Sequence, residues 1–124
     1  MTHEGSRVIH QGDVFWIEPE ALAPSVPGQA HPHVVIQADV LNQSRITTVV
    51  VCGLTSNLKR LAEPGNVLLD AGEADLPRPS VVIVSQVSTV EKARLGAYVG
   101  TLSTQRVEQI LGGMSLQQRS FFPG

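Results

Sequence analysis

Ser80-Val81-Val82-Ile83-Val84 is the stretch on which the reading of this chain turns. Consecutive β-branched residues suit extended backbone, where a branched Cβ does not crowd a preceding helical turn. The run is short for a helix and offers almost no polar position to water, so it predicts a strand buried on both faces. Outward from it, further apolar runs recur between proline, glycine and polar clusters, a layout of many short strands. Toward the N-terminus these are Asn66-Val67-Leu68-Leu69 after Pro64-Gly65, Ile46 to Cys52, His33-Val34-Val35-Ile36-Gln37, and Val14-Phe15-Trp16-Ile17 entered from Gly12-Asp13. Leu41 to Arg45 predicts a turn or a single helical turn. The prolines and Gly28 between Pro19 and Pro32 predict a long loop, and such loops are often functional. Leu95 to Leu102 predicts the last strand.

The period then changes. Val107, Ile110, Leu111 and Met114 repeat at three and four, and Ser103 stands where a helix N-cap belongs. This predicts a C-terminal amphipathic helix, weakened at its middle by Gly112-Gly113, whose apolar face covers an open side of the sheet. Strands first and one helix last define an α+β class with a barrel-like antiparallel sheet.

With 124 residues the chain can enclose one sizeable core, and its 42% hydrophobic share is ordinary for a globular domain. Three Phe, one Trp and one Tyr are too few for a broad base-stacking platform. A net charge of −2 excludes a globally basic nucleic-acid binder, so any RNA would have to be met by a local basic patch. The single cysteine, Cys52, ends the run Val49-Val50-Val51 and reads as a buried strand residue rather than a nucleophile. No apolar stretch is long enough to cross a bilayer. Met1 to Gly5 lacks a charged-then-apolar leader, so a cytoplasmic location is expected.

The order of short motifs carries further than the fold class. Gln11-Gly12-Asp13-Val14-Phe15-Trp16-Ile17 resembles the opening strand of the MazF/PemK toxins, where Gly-Asp begins the first strand. Ala30-His31-Pro32-His33-Val34-Val35-Ile36 sits where that family has Arg-Pro and an apolar strand. Val51-Cys52-Gly53-Leu54-Thr55-Ser56-Asn57 resembles its strand ending in Thr-Ser or Thr-Ala, then Gln or Asn. Ser80 to Gln86, Thr89 to Leu95 and Gly100-Thr101-Leu102-Ser103 resemble the later buried strand, its basic turn and the lead into the final helix.

The resemblance spans nearly the whole chain, 1–124, as a single MazF/PemK-like domain. It implies a small SH3-like antiparallel β-barrel with a C-terminal helix (MazF/CcdB/PemK-like), a homodimer, and a toxin that cleaves single-stranded RNA and is neutralised by a cognate antitoxin. The chain departs from the family pattern at three points. The long loop reads Pro24-Ser25-Val26 in place of Gly-Ser-Glu, His31 replaces the arginine before proline, and Ser85 replaces an acidic residue before Gln86. Thr55 is retained.

Metal-independent RNA cleavage uses the substrate's own 2′-hydroxyl as nucleophile. The protein must take that proton, return one to the leaving 5′-oxygen and neutralise charge on the phosphoryl oxygens. An arginine carries protons poorly at neutral pH, whereas an imidazole, with an ordinary pKa of roughly 6.5, suits the task. The resemblance therefore assigns catalysis to His31 and Thr55, with His31 moving the proton and Thr55 donating to the phosphoryl oxygens. Lys59 and Arg60 would supply positive charge. Arg45, Lys59 and Arg60 lie in loops flanking one strand, and with Ser56, Asn57 and Gln86 they form the expected RNA-binding set.

Each of these has a plainer alternative. His31 can be a loop residue beside a turn-forming proline. His31 and His33 make a His-x-His pair, but a metal site needs a third ligand, and no metal or cofactor is expected. Thr55 and Ser56 can cap a turn, Lys59 and Arg60 can be a solvated pair, and Trp16 is expected in the core or a dimer interface. Two other functions compete. One is a gyrase-directed toxin like the CcdB proteins, acting through Ser120-Phe121-Phe122-Pro123-Gly124. The other is a degenerate module that keeps RNA or antitoxin binding without catalysis. An antitoxin would be met as a short acidic segment in the basic groove.

Overall fold

The computed structural model describes residues 7–22 and 28–121. Six antiparallel strands are laid down in chain order as β1 (Asp13–Ile17), β2 (His31–Val35), β3 (Thr48–Thr55), β4 (Val67–Leu69), β5 (Ser80–Glu91) and β6 (Tyr98–Thr101). They form one sheet in the order β4-β5-β3-β2-β1-β6. Ser80 to Val84 are buried throughout, as a strand with almost no polar position requires. β5 does not stop there. Its second half is mostly exposed yet stays paired with β3 as far as Thr48 opposite Glu91.

The sheet curls into a half-barrel with apolar side chains on both faces. Val14, Val34, Cys52, Leu54, Val82 and Val84 line one face, and there the C-terminal helix adds Val107 and Ile110. Phe15, Ile17, Val35, Val49, Val51 and Val90 line the other, with Ala21 and Leu95 against them. Burying each such side chain contributes about 1.5–3 kcal/mol.

The helix expected at the C-terminus, here α3 with α1 (Pro19–Leu22) and α2 (Asp39–Asn42) before it, runs Thr104–Phe121. Ser103 Oγ accepts the Arg106 N–H at 3.2 Å, which satisfies one of its free amino-terminal donors. Arg106 ties the helix to the 3-10 turn Glu73–Asp75, its Nε and Nη2 donating to the Glu73 carboxylate at 2.9 and 2.8 Å.

Parts of the expected loop from Pro19 to Pro32 are regular. Pro19 opens α1, where a missing N–H costs nothing. His31 and Pro32 belong to β2, opposite Ile17 and Trp16. Pairing of β2 with β3 begins only at His33, so Pro32 lies beyond the doubly paired part of the sheet, where proline is tolerated. Pro24, Ser25 and Val26 lie outside the described residues. Of the two places expected for Trp16, the core is corrected: it alone in β1 faces outward, 39% exposed, because its neighbours Phe15 and Ile17 fill the core. Cys52 is fully buried, and its thiol donates to the Ile83 carbonyl at 3.0 Å. Burial pushes that thiol up to about 12, so it is no nucleophile at neutral pH.

Candidate active site

The β3–β5 register slips between Cys52 and Leu54, a bulge centred on Gly53. Bulges re-aim the strand end that follows, and here that end carries Thr55. Gly53 pairs with His33 of β2. Its missing side chain leaves room for two others: a Cβ there would stand 3.0 Å from Gln86 Oε1 and 3.7 Å from His33 Nε2. Above Gly53 opens a cavity of about 260 Å³, lined among others by His31, His33, Thr55, Arg60 and Gln86. A second, of about 360 Å³, is lined by residues including Trp16, His31, Pro32, Thr55, Ser56 and Arg78. His31 and Thr55 border both, so they form the ridge between two halves of one cleft.

The hydrogen bonding fits a donor role for Thr55. Its Oγ1 accepts the Asn57 N–H at 3.1 Å, leaving the hydroxyl proton free to be donated. Asn57 in turn caps the 3-10 turn Leu58–Ala62, its Oδ1 accepting the Lys59 N–H at 3.2 Å. These two bonds bear out the turn reading of this segment.

His33 is 6% exposed. Its Nδ1 lies 2.9 Å from the His31 carbonyl, which can only accept, so the ring proton belongs on Nδ1 and Nε2 keeps its lone pair. Burial, and to a lesser extent the charge of His31, hold His33 below the ordinary histidine range against the opposing effect of that carbonyl. The unfolded chain therefore binds a proton more readily than the fold does. Stability on this account is complete above pH 6.5 and falls as the pH drops toward and through the folded value. Urea midpoints should decline between pH 7.5 and 5.5, and His33→Gln should flatten that decline. An unaltered slope in the variant would remove His33 from it.

The remaining candidates divide. Arg60 reaches the first cavity but is engaged by Glu63: its Nε meets Oε2 and its Nη2 donates to Oε1 at 3.0 Å. The pairing raises the guanidinium further and holds Glu63 below the usual carboxylate range. Asn57 and Lys59 line neither cavity. Arg45 also lines neither, and the expectation that its loop opens onto the same groove is corrected. It precedes β3, whereas Thr55 ends it, and eight residues at 3.3 to 3.4 Å each put roughly 25 Å between the two ends. His31 and His33 share a face of β2, but among the described residues no three His, Cys, Asp or Glu side chains gather in a metal-binding group.

Two residues that the sequence left unassigned to the RNA site, His33 and Arg78, stand in the cleft wall. Arg78 sits between two prolines just ahead of the most apolar strand, a signal that becomes meaningful only once Val81 is seen opposite Thr55.

A half-barrel carrying a C-terminal helix, with a cleft of imidazole, hydroxyl and guanidinium groups where β2 begins and β3 ends, defines a class of small β-rich proteins. Residues 10–117 match the PemK-like, MazF-like toxins of type II toxin-antitoxin systems. The chain is 36% identical over 107 residues to the endoribonuclease MazF6 of Mycobacterium tuberculosis, covering 86% of this chain and 94% of that one. Its fold is similar to that of MazF from Deinococcus radiodurans, with a TM-score of 0.71, 18% identity and coverage of 91% and 98%. It is also similar to a mycobacterial endoribonuclease solved with its cognate antitoxin, with a TM-score of 0.68, 17% identity and coverage of 90% and 94%. The chain belongs to the PemK/MazF toxin family.

Proposed function

We propose that this chain is the RNA-cleaving toxin of a toxin–antitoxin pair, acting as a single-domain protein that forms a homodimer in the cytoplasm. Among the described residues no helix is long and apolar enough to cross a membrane. The observation that carries the reading is the shared ridge of His31 and Thr55 between two adjoining cavities. A strand laid along the cleft would put one phosphate over the ridge and its two flanking nucleotides in the two halves. The 2′-hydroxyl on one side attacks that phosphorus, the bond to the 5′-oxygen on the other breaks, and the products are a 2′,3′-cyclic phosphate and a 5′-hydroxyl.

In this scheme His31 carries the proton and Thr55 donates to a non-bridging oxygen. His33 Nε2 and Gln86 supply hydrogen-bonding partners in the first cavity, and the Ser56 hydroxyl does so in the second. No step requires a metal, because the nucleophile belongs to the substrate and its activation is acid–base. Purified protein should therefore cut a defined single-stranded RNA with a chelator present and leave those two end groups. Products ending in a 3′-hydroxyl and 5′-phosphate, or cleavage abolished by the chelator, would sink the scheme.

The partner reading rests on the relative solved with its cognate antitoxin. An acidic peptide segment suits a cleft lined by Arg78. For the gyrase-directed alternative, Phe122 to Gly124 lie outside the described residues.

A further inference from the structure

We propose that Arg78 is the guanidinium that holds the RNA phosphate over the His31–Thr55 ridge, and the inference rests on the ribonuclease reading above. A phosphate being attacked needs a cation to meet the charge that builds on its oxygens. Of the cations weighed from the sequence, Arg45 and Lys59 line neither half of the cleft, and Arg60 is spent on Glu63. Arg78 lines the same cavity as His31, Thr55 and Ser56. It is exposed, and among the described residues it has no carboxylate within ion-pair distance.

Its backbone is unusually well held for an exposed residue. Pro77 and Pro79 flank it, and a residue before proline is confined to extended conformations. Leu76, just before, is 3% exposed in the core. Ser80, just after, pairs with Leu69 in the β4–β5 ladder, and its Oγ donates to the Arg78 carbonyl at 3.2 Å. Further back, the turn carrying Glu73 is clamped to α3 by Arg106. It also packs on Gly100, where an added Cβ would stand 2.3 Å from the Ala74 carbonyl oxygen. Val81 lies opposite Thr55 in the β3–β5 ladder, so this stalk rises beside the hydroxyl it would assist. A cation on a fixed stalk, with no carboxylate partner among the described residues, is organised for an anion before one arrives.

The test uses full-length Arg78→Ala and Arg78→Lys proteins with one single-stranded RNA and its all-deoxy counterpart, which lacks the attacking hydroxyl. Arg78→Ala should lower kcat about 100-fold, with part of the loss recovered in Arg78→Lys. On the all-deoxy strand, Arg78→Ala should bind more weakly, with the slope of log affinity against log salt reduced by about 0.7, the loss of one phosphate contact. Two results overturn the proposal: kcat within twofold of wild type, or a loss confined to KM, which would mean that Arg78 holds a neighbouring phosphate instead. If the wild type cuts no RNA, the ribonuclease reading fails by itself, and the salt titration still judges whether Arg78 holds a phosphate.

Discussion

Replacing His31 by alanine should lower single-turnover cleavage of single-stranded RNA by roughly 10²- to 10⁴-fold, the range set by loss of a positioned proton carrier. In barrier terms that is about 3–5 kcal/mol. The expectation follows from the position of His31 on the ridge, lining both halves of the cleft with Thr55. The His31 side chain is exposed and makes no ion pair among the described residues, so its removal should leave the fold intact. His31→Gln separates two roles. Glutamine can hydrogen bond but cannot shuttle a proton, so a proton carrier predicts that it is as slow as alanine. Recovery of most of the rate in His31→Gln would reduce His31 to a hydrogen-bonding group. Thr55→Ala should cost about 10²-fold through loss of one phosphoryl donor, with Thr55→Ser restoring much of it because the hydroxyl returns. Full activity in both alanine variants would dismiss the ridge as the site of chemistry.

How far the sequence foretold this arrangement depended on whether the deciding force was local. Ser80 to Val84 announced a buried strand because every residue there favours the same answer. Ser103 announced a helix start because a cap acts within its own turn. The second half of β5 was hidden, since its exposed residues are held extended by β3 rather than by their own pattern. The core place expected for Trp16 was misjudged because an apolar run does not say which of its members the core will leave out.

At the site, the motif order brought His31, Thr55, Arg60 and Gln86 into view, and they line one cavity. Nearness in sequence misled for Arg45, because loops flanking one strand lie at its opposite ends. The pairing of Arg60 with Glu63 was readable, since residues three apart on a helical turn face each other. Arg78 was not, because only the strand register brings it back toward Thr55.

The two glycines in the middle of α3 should respond to alanine with opposite signs. Both lower helix propensity, and on that ground alone each Gly→Ala change would stabilise the fold by about 0.5–1 kcal/mol. Gly112 has nothing within 4 Å of an added Cβ, so Gly112→Ala should realise that gain. Gly113 rests directly on the Pro64-Gly65 turn: a Cβ there would stand 2.0 Å from the Gly65 carbonyl oxygen. Gly65 cannot yield easily, because its own φ of +90° suits glycine and a Cβ on it would meet the Gly113 carbonyl oxygen at 2.6 Å. Gly113→Ala must therefore lift the helix from the turn and loosen the packing of Val107 and Ile110 on the sheet. The net loss should be about 2–3 kcal/mol, in the upper part of the range for overpacked sites, seen as a Tm lower by roughly 8–15 °C at fixed protein concentration. Equal gains in the two variants would mean that α3 does not dock on Gly65. The helix would then not close the half-barrel along that line, and the cleft would need a different support.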